Sequence, residues 1–131
     1  ELKKEDDTYN LIHPIQKGVS DSNYIAEIIN FGDDYSKNVE MVSIDSEYPK
    51  IGNNNLGLIK MDIEGMESQA IKGAENIIKQ YKPVLVISIY HTPEDFFEMK
   101  DKIKAINPEY KFIIRRAEDA QPNADIVLIA Y

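Results

Sequence analysis

The sequence predicts an α/β fold with a mainly parallel sheet and an antiparallel strand at its C-terminal edge. Three observations predict it. From residue 57 onward, short apolar runs alternate with segments of helical period, in the order β-α-β-α-β-β. Alternation of this kind implies parallel strands joined by right-handed crossovers. The last two runs follow one another with no helix between them, so they pair antiparallel. Finally, 131 residues with 43% apolar and 29% charged side chains suffice for a single self-supporting domain.

Taken in order, residues 1–9 include Glu1, Lys3, Lys4, Glu5, Asp6 and Asp7 and read as a frayed lead-in. Residues 10–19 form a moderately apolar strand interrupted by Pro14 and ending at Gly18-Val19-Ser20-Asp21. Residues 23–31 and 39–45 are two strands of a hairpin across the polar turn 32–38. Pro49 and Gly52-Asn53-Asn54-Asn55 mark a loop. Leu58 to Ile63 is a short strand ending in Glu64-Gly65. Ala70, Ile71, Ala74, Ile77, Ile78 and Tyr81 then fall on one face of a helix, which Lys82-Pro83 stops. Val84 to Tyr90 is apolar nearly throughout, as in a strand covered on both faces. Thr92-Pro93-Glu94-Asp95 supplies a hydroxyl N-cap, a proline at the first helical position and acids in the first turn. Phe96, Met99, Ile103 and Ile106 line that helix until Asn107-Pro108. Strands over 110–116 and 125–131 close the chain around the polar loop at Gln121-Pro122-Asn123.

Composition narrows the function. Fifteen Lys and Arg against 23 Asp and Glu give a net charge of −8, which opposes binding to nucleic acid or an anionic membrane. No run approaches the roughly 18 apolar residues of a membrane helix, and no signal peptide opens the chain. The absence of Cys excludes disulfides, thiolate metal sites and Cys nucleophiles. A cytoplasmic location is expected. The chain starts with Glu1 and reads as processed or as part of something longer.

In open α/β sheets ligands bind beyond the carboxyl ends of the strands. Asp62, Glu64 and Glu67 follow one strand here and His91 the next, so neighbouring strands would gather them in one crevice. Each also has a plain structural reading. Asp62 can cap the turn, Glu64 and Glu67 can complement a helix dipole, and His91 can be a solvated residue before the N-cap. Lys60 shares a strand face with Asp62 and is expected to meet a carboxylate, since an unpaired lysine inside a sheet is costly. His13 is expected at the surface, and Arg115-Arg116 on an exposed edge.

The run Leu58-Ile59-Lys60-Met61-Asp62-Ile63-Glu64-Gly65-Met66-Glu67, followed by Ile71-Lys72-Gly73-Ala74, resembles the FkbM family of S-adenosylmethionine-dependent methyltransferases. The family pattern is an apolar run, Lys, apolar, Asp, apolar, Glu, Gly, any residue, Glu, then Leu or Ile, Lys or Arg, Gly, Ala. Lys82-Pro83, Tyr110-Lys111-Phe112, the closing Ile126-Val127-Leu128, Gly18-Val19-Ser20-Asp21 and Val42-Ser43-Ile44-Asp45 extend the likeness over about residues 12 to 131. The resemblance implies a Rossmann-like methyltransferase sheet and methyl transfer to a hydroxyl of a sugar, polyketide or similar small-molecule acceptor. It implies that Asp62 lies beside the methionine part of S-adenosylmethionine and the acceptor, with Glu64, Glu67 and His91 in acid–base or positioning roles. Ser20 and Asp21 would lie near the adenine edge. His91 is the better base by its ordinary pKa, oriented by a neighbouring carboxylate.

The six glycines never form the family's G-x-G turn, and the first two strands are not represented. The expected fold is thus an N-terminally truncated sheet, incomplete for the cofactor. Its bared strand at Lys60–Ile63 should be covered by the early strands folding over, by a second copy or by a partner segment. A gap in the sheet is expected only with a partner chain. Two other readings stand beside the enzyme: a non-catalytic binding or assembly module, and a set of ligands for Mg²⁺ or Mn²⁺. The last is disfavoured because a helix N-terminus repels cations, and no metal is assigned.

Overall fold

The computed structural model describes residues 12–29, 36–51, 55–116 and 126–131. The expected lead-in over 1–9, the start of the first strand, most of the turn at 32–38, most of the loop at 52–55 and the loop at 121–123 lie outside the described residues. The chain is α/β, but its strands form two mixed sheets where one mainly parallel sheet was expected.

The first sheet has the order β1-β3-β2, with β1 at Gly18–Val19, β2 at Tyr24–Ile29 and β3 at Ser36–Val42. β2 and β3 pair antiparallel as the expected hairpin, from Tyr24 opposite Met41 to Ile29 opposite Ser36. β1 runs parallel to β3 and is only two residues long, because Pro14 and its neighbours leave residues 12–17 without ladder bonds. β3 also stops sooner than predicted. Ser43 takes an extended conformation and its hydroxyl accepts the Ser46 N–H, so a short helix α1 opens at Ile44–Glu47. A 3-10 turn over Tyr48–Ile51 continues it.

The second sheet has the order β4-β5-β7-β6, built from Leu58–Met61, Val84–Ser88, Ile126–Ala130 and Phe112–Arg116. β4 and β5 are parallel neighbours, with Met61 opposite Ile87. The last strand departs from expectation: β7 is no edge but lies antiparallel between β5 and β6. Its composition explains this. Leu128 and Ala130 are buried, which suits an interior strand, whereas Arg115 and Arg116 are exposed on β6 at the rim.

The predicted helix after β4 is two helices, α2 at Glu67–Lys72 and α3 at Glu75–Tyr81. The break is built by distant residues. Gly73 lies so close to the first sheet that a Cβ there would stand 2.1 Å from the Ser20 carbonyl oxygen. The Asp45 N–H donates to the Gly73 carbonyl, and the Asp45 carboxylate accepts the N–H groups of Asn76 and Ile77. A side chain from α1 thus satisfies first-turn N–H groups of α3 and ties the two sheets together.

Helix α4 spans Pro93–Ile106, capped by Thr92 as its sequence requires. α2, α3 and α4 cover one face of the second sheet. Ala70, Ile71, Ala74, Ile78, Met99 and Ile103 pack there on Ile59, Met61, Leu85, Ile87, Leu128 and Ala130. The other face is open: Leu58, Val84 and Ile113 are exposed and Val86 only half-buried, so β5 is covered on one side and not on two. Lys60 points to this open side and is exposed, so it pays no desolvation, and among the described residues it makes no ion pair. The expected pairing with a carboxylate fails for that reason. The early strands do not fold over β4 either; among the described residues no strand pairs with its free edge.

Candidate functional site

Because β4 and β5 are adjacent and parallel, their carboxyl ends emerge together. Asp62 leaves β4 directly and His91 follows the end of β5 by three residues. Between Asp62 and α2 the chain makes a tight turn in which Glu64 has φ 57° and Gly65 φ 94°. Gly65 is needed twice over. Its φ is left-handed, and a Cβ would sit 3.2 Å from Thr92 Cγ2 and 3.9 Å from His91 Cβ.

Glu67 organises the site. Its carboxylate is fully buried and accepts the Ile63 N–H at 2.8 Å and the Gly65 N–H at 2.9 Å. One of its oxygens lies 2.9 Å from His91 Nδ1. A buried carboxylate that already accepts two N–H groups is an acceptor toward the imidazole as well, so the network assigns the proton to Nδ1. In the neutral ring Nε2 then carries the lone pair. That nitrogen is buried, lacks a hydrogen-bond partner, and faces Asp62 Oδ1 at 3.6 Å and Glu64 Oε2 at 3.4 Å. The side chain of His91 is 9% exposed, that of Glu64 88%. The four residues that follow the two strands therefore do share one crevice.

Tyr90 belongs to the site and was not singled out from the sequence. Its hydroxyl donates to Asp62 Oδ1 at 3.3 Å, and its ring stacks on His91 with centroids 4.1 Å apart at 41°. The available signal was its place immediately before the histidine at a strand end. Ser68 and Thr92 brace the crevice from behind. The Thr92 hydroxyl accepts the Asp95 N–H and donates to the Asp95 carboxylate, which also accepts the Ser68 hydroxyl. These bonds join the start of α2 to the start of α4.

Ser20 and Asp21 are placed elsewhere. Asp21 meets Lys72 at 2.8 Å, at the C-terminal end of α2, whereas the Glu67–His91 pair lies at its N-terminal end. Six helical residues separate the two by about 8 Å. The Lys72 ammonium, helped by the Ser22 hydroxyl, holds the Asp21 carboxyl below its ordinary range, and Asp21 in turn raises Lys72. Ser20 is buried beneath the Tyr24 hydroxyl, 3.4 Å away. Asp21, Ile71, Lys72, Lys102 and Ile106 line a groove of about 420 Å³ between α2 and α4, which contains none of Asp62, Glu64, Glu67, Tyr90 or His91.

Fold and site together define an α/β protein with a polar cluster at the carboxyl ends of two adjacent parallel strands, where this class binds ligands. The methyltransferase FkbM domain matches residues 6–116 of the chain. The chain belongs to the FkbM methyltransferase domain family. Its structure is similar to the crystal structure of methyltransferase FkbM from Methylobacillus flagellatus KT, with a TM-score of 0.76 and 28% identity. The match covers 95% of this chain and 30% of that one, so these residues span less than a third of that relative. A comparison with curated proteins finds no match. Among the described residues, no helix is long and apolar enough to cross a membrane.

Proposed function

We propose that the chain carries the acceptor side of an S-adenosylmethionine-dependent O-methyltransferase site, acting on a hydroxyl of a sugar, polyketide or similar metabolite in the cytoplasm. The observation that supports this most strongly is the His91 imidazole, with Glu67 at Nδ1 and an unpartnered Nε2 facing the crevice. O-methyl transfer forms a bond between the acceptor oxygen and the methyl carbon while the carbon–sulfur bond of the donor breaks. The hydroxyl proton must leave, and a nitrogen lone pair beside the acceptor can take it. His91 Nε2 is that base in this reading. Glu67 holds the ring in position, Asp62 and Tyr90 hold the acceptor, and exposed Glu64 passes the proton to solvent. Ser20 and Asp21 serve the adenine edge.

S-adenosylmethionine would supply the activated methyl group. The fit of these residues to it is partial: Asp62 stands where a strand-end carboxylate can meet the methionine ammonium, but none of the six glycines forms a G-x-G cradle. Full turnover in this reading needs that cradle from further sequence or a second chain, which would also cover the free edge of β4. The competing reading, a non-catalytic binding module, requires no cofactor contact.

Titration of the ¹⁵N-labelled chain with S-adenosylhomocysteine, followed amide by amide, separates the two. The proposal expects saturable shifts centred on Asp62, Ile63 and Gly65, with a second set at Ser20 and Asp21. Saturable binding whose shifts avoid the β4–α2 turn would overturn it in favour of the binding module.

A further inference from the structure

We propose that His91 Nε2, Asp62 and Glu64 bind one zinc-like divalent cation, with Glu67 orienting the imidazole from behind. Acidic side chains gathered at a turn would not suffice for this. The independent observation is Nε2 itself, a nitrogen on a side chain more than nine-tenths buried that has no hydrogen-bond partner and points at two carboxylates.

In the neutral ring, with its proton on Nδ1 toward Glu67, Nε2 offers a lone pair to groups that offer lone pairs too. Acceptors converge in this way around something positive. The distances favour an ion over a shared proton. Nε2 stands 3.6 Å from Asp62 Oδ1 and 3.4 Å from Glu64 Oε2, beyond a good hydrogen bond. Ligand bonds of about 2.1 Å at the tetrahedral angle put neighbouring ligand atoms about 3.4 Å apart. Two observed separations match that edge.

The surroundings suit a metal-binding histidine. Such a histidine commonly gives its second ring N–H to a carboxylate that fixes tautomer and orientation, and Glu67 occupies that place at 2.9 Å. Ligand atoms of Asp62 and His91 lie within 4.8 Å of each other, and the exposed Glu64 side chain, 3.4 Å from Nε2, can swing in to complete the set. One imidazole and two carboxylates form a mixed nitrogen and oxygen set compatible with Zn²⁺ and leave a fourth position open. A water or an acceptor oxygen would fill it. The positive end of a helix offers little objection. α2 has only six residues, and the Glu67 carboxylate sits in its first turn, where it offsets the positive end.

A cation and the acceptor's proton would compete for the same Nε2 lone pair, so a loaded site would not use His91 as the base of the reading above; cation binding needs no methyl donor and is tested without one. Co²⁺ is the probe, because a four-coordinate Co²⁺ ion absorbs visible light far more strongly than the six-coordinate aquo ion. Added to the 131-residue chain, one equivalent should produce the intense four-coordinate bands, and one equivalent of Zn²⁺ should abolish them. Asp62→Asn and His91→Ala should each weaken binding by at least about tenfold, and Glu67→Gln by about 10- to 100-fold. Glu75→Gln, which alters a carboxylate paired with Lys79 on α3, should leave binding unchanged. Asp62 is one-third exposed, so its variant decides the matter even if the His91 variant fails to fold. A six-coordinate spectrum alone, or strong bands that survive Asp62→Asn, would overturn the proposal. Neither result would touch methyl transfer.

Discussion

Replacing Glu67 with Gln changes one atom and should cost much of the stability of this fold. The Glu67 carboxylate is fully buried and accepts the Ile63 N–H, the Gly65 N–H and the proton on His91 Nδ1. A carboxylate offers two acceptor oxygens, whereas an amide keeps one and turns its NH₂ toward an N–H donor. At least one donor is left unsatisfied, and the remaining bonds lose their charge assistance. Hydrogen bonds to charged groups contribute about 1.5–3 kcal/mol each, and a stranded buried donor costs about 1–3 kcal/mol. A loss of about 3 kcal/mol is expected, a large share of the 5–15 kcal/mol typical of a domain. With a urea m-value of about 1.5 kcal/mol/M, the unfolding midpoint should fall by about 2 M. Equilibrium urea denaturation of the two proteins, followed by circular dichroism, measures this. A midpoint within about 0.3 M of wild type would show that the carboxylate does not organise the β4–α2 turn. The account of the crevice would then fail with it.

Other positions carry their own expectations. Gly65→Ala forces a side chain into a left-handed conformation against Thr92 and should destabilise by about 1–2 kcal/mol, read as a shift in thermal midpoint. Gly73→Ala places a Cβ 2.1 Å from the backbone oxygen of Ser20; it should cost about 1–3 kcal/mol and raise amide exchange in β1 and β3 more than in β5. The Asp21–Lys72 pair sets a pH dependence. Lys72 depresses the folded carboxyl, so the pair stabilises at pH values above the unfolded pKa of about 3.8 and the contribution disappears as pH falls through the lower folded value. Acid titrations of stability for wild type and Asp21→Asn should therefore converge below about pH 4 and differ above it.

Much of the second half of the fold is legible in sequence because its signals are local. Thr92-Pro93-Glu94-Asp95 starts α4 through its own hydroxyl and proline, and the strand at 84–88 is apolar enough to need no context. The residues that follow adjacent parallel strands must meet, so the grouping of Asp62, Glu64, Glu67 and His91 is legible from the sequence. What remained hidden depends on distant partners. The break in the helix at Gly73 comes from the Ser20 carbonyl and the Asp45 carboxylate, neither near it in sequence. The interior position of β7 depends on which of two adjacent strands pairs along both of its edges. Lys60 needs a carboxylate partner only if its face of β4 is buried, and the structure leaves that face open. The separation of Ser20 and Asp21 from the His91 crevice is likewise a tertiary fact, set by the length of α2.

Both the methyl-transfer reading and the cation site depend on one proton. They require it on Nδ1 of His91, toward Glu67, so that Nε2 presents a lone pair to the crevice. Long-range ¹H–¹⁵N correlation spectroscopy of the neutral ring measures this directly. The account predicts a protonated, pyrrole-type Nδ1 and an unprotonated, pyridine-type Nε2, with the preference reduced in Glu67→Gln. A neutral ring with its proton on Nε2 would contradict the account, because that nitrogen could then neither accept a proton nor bind a cation.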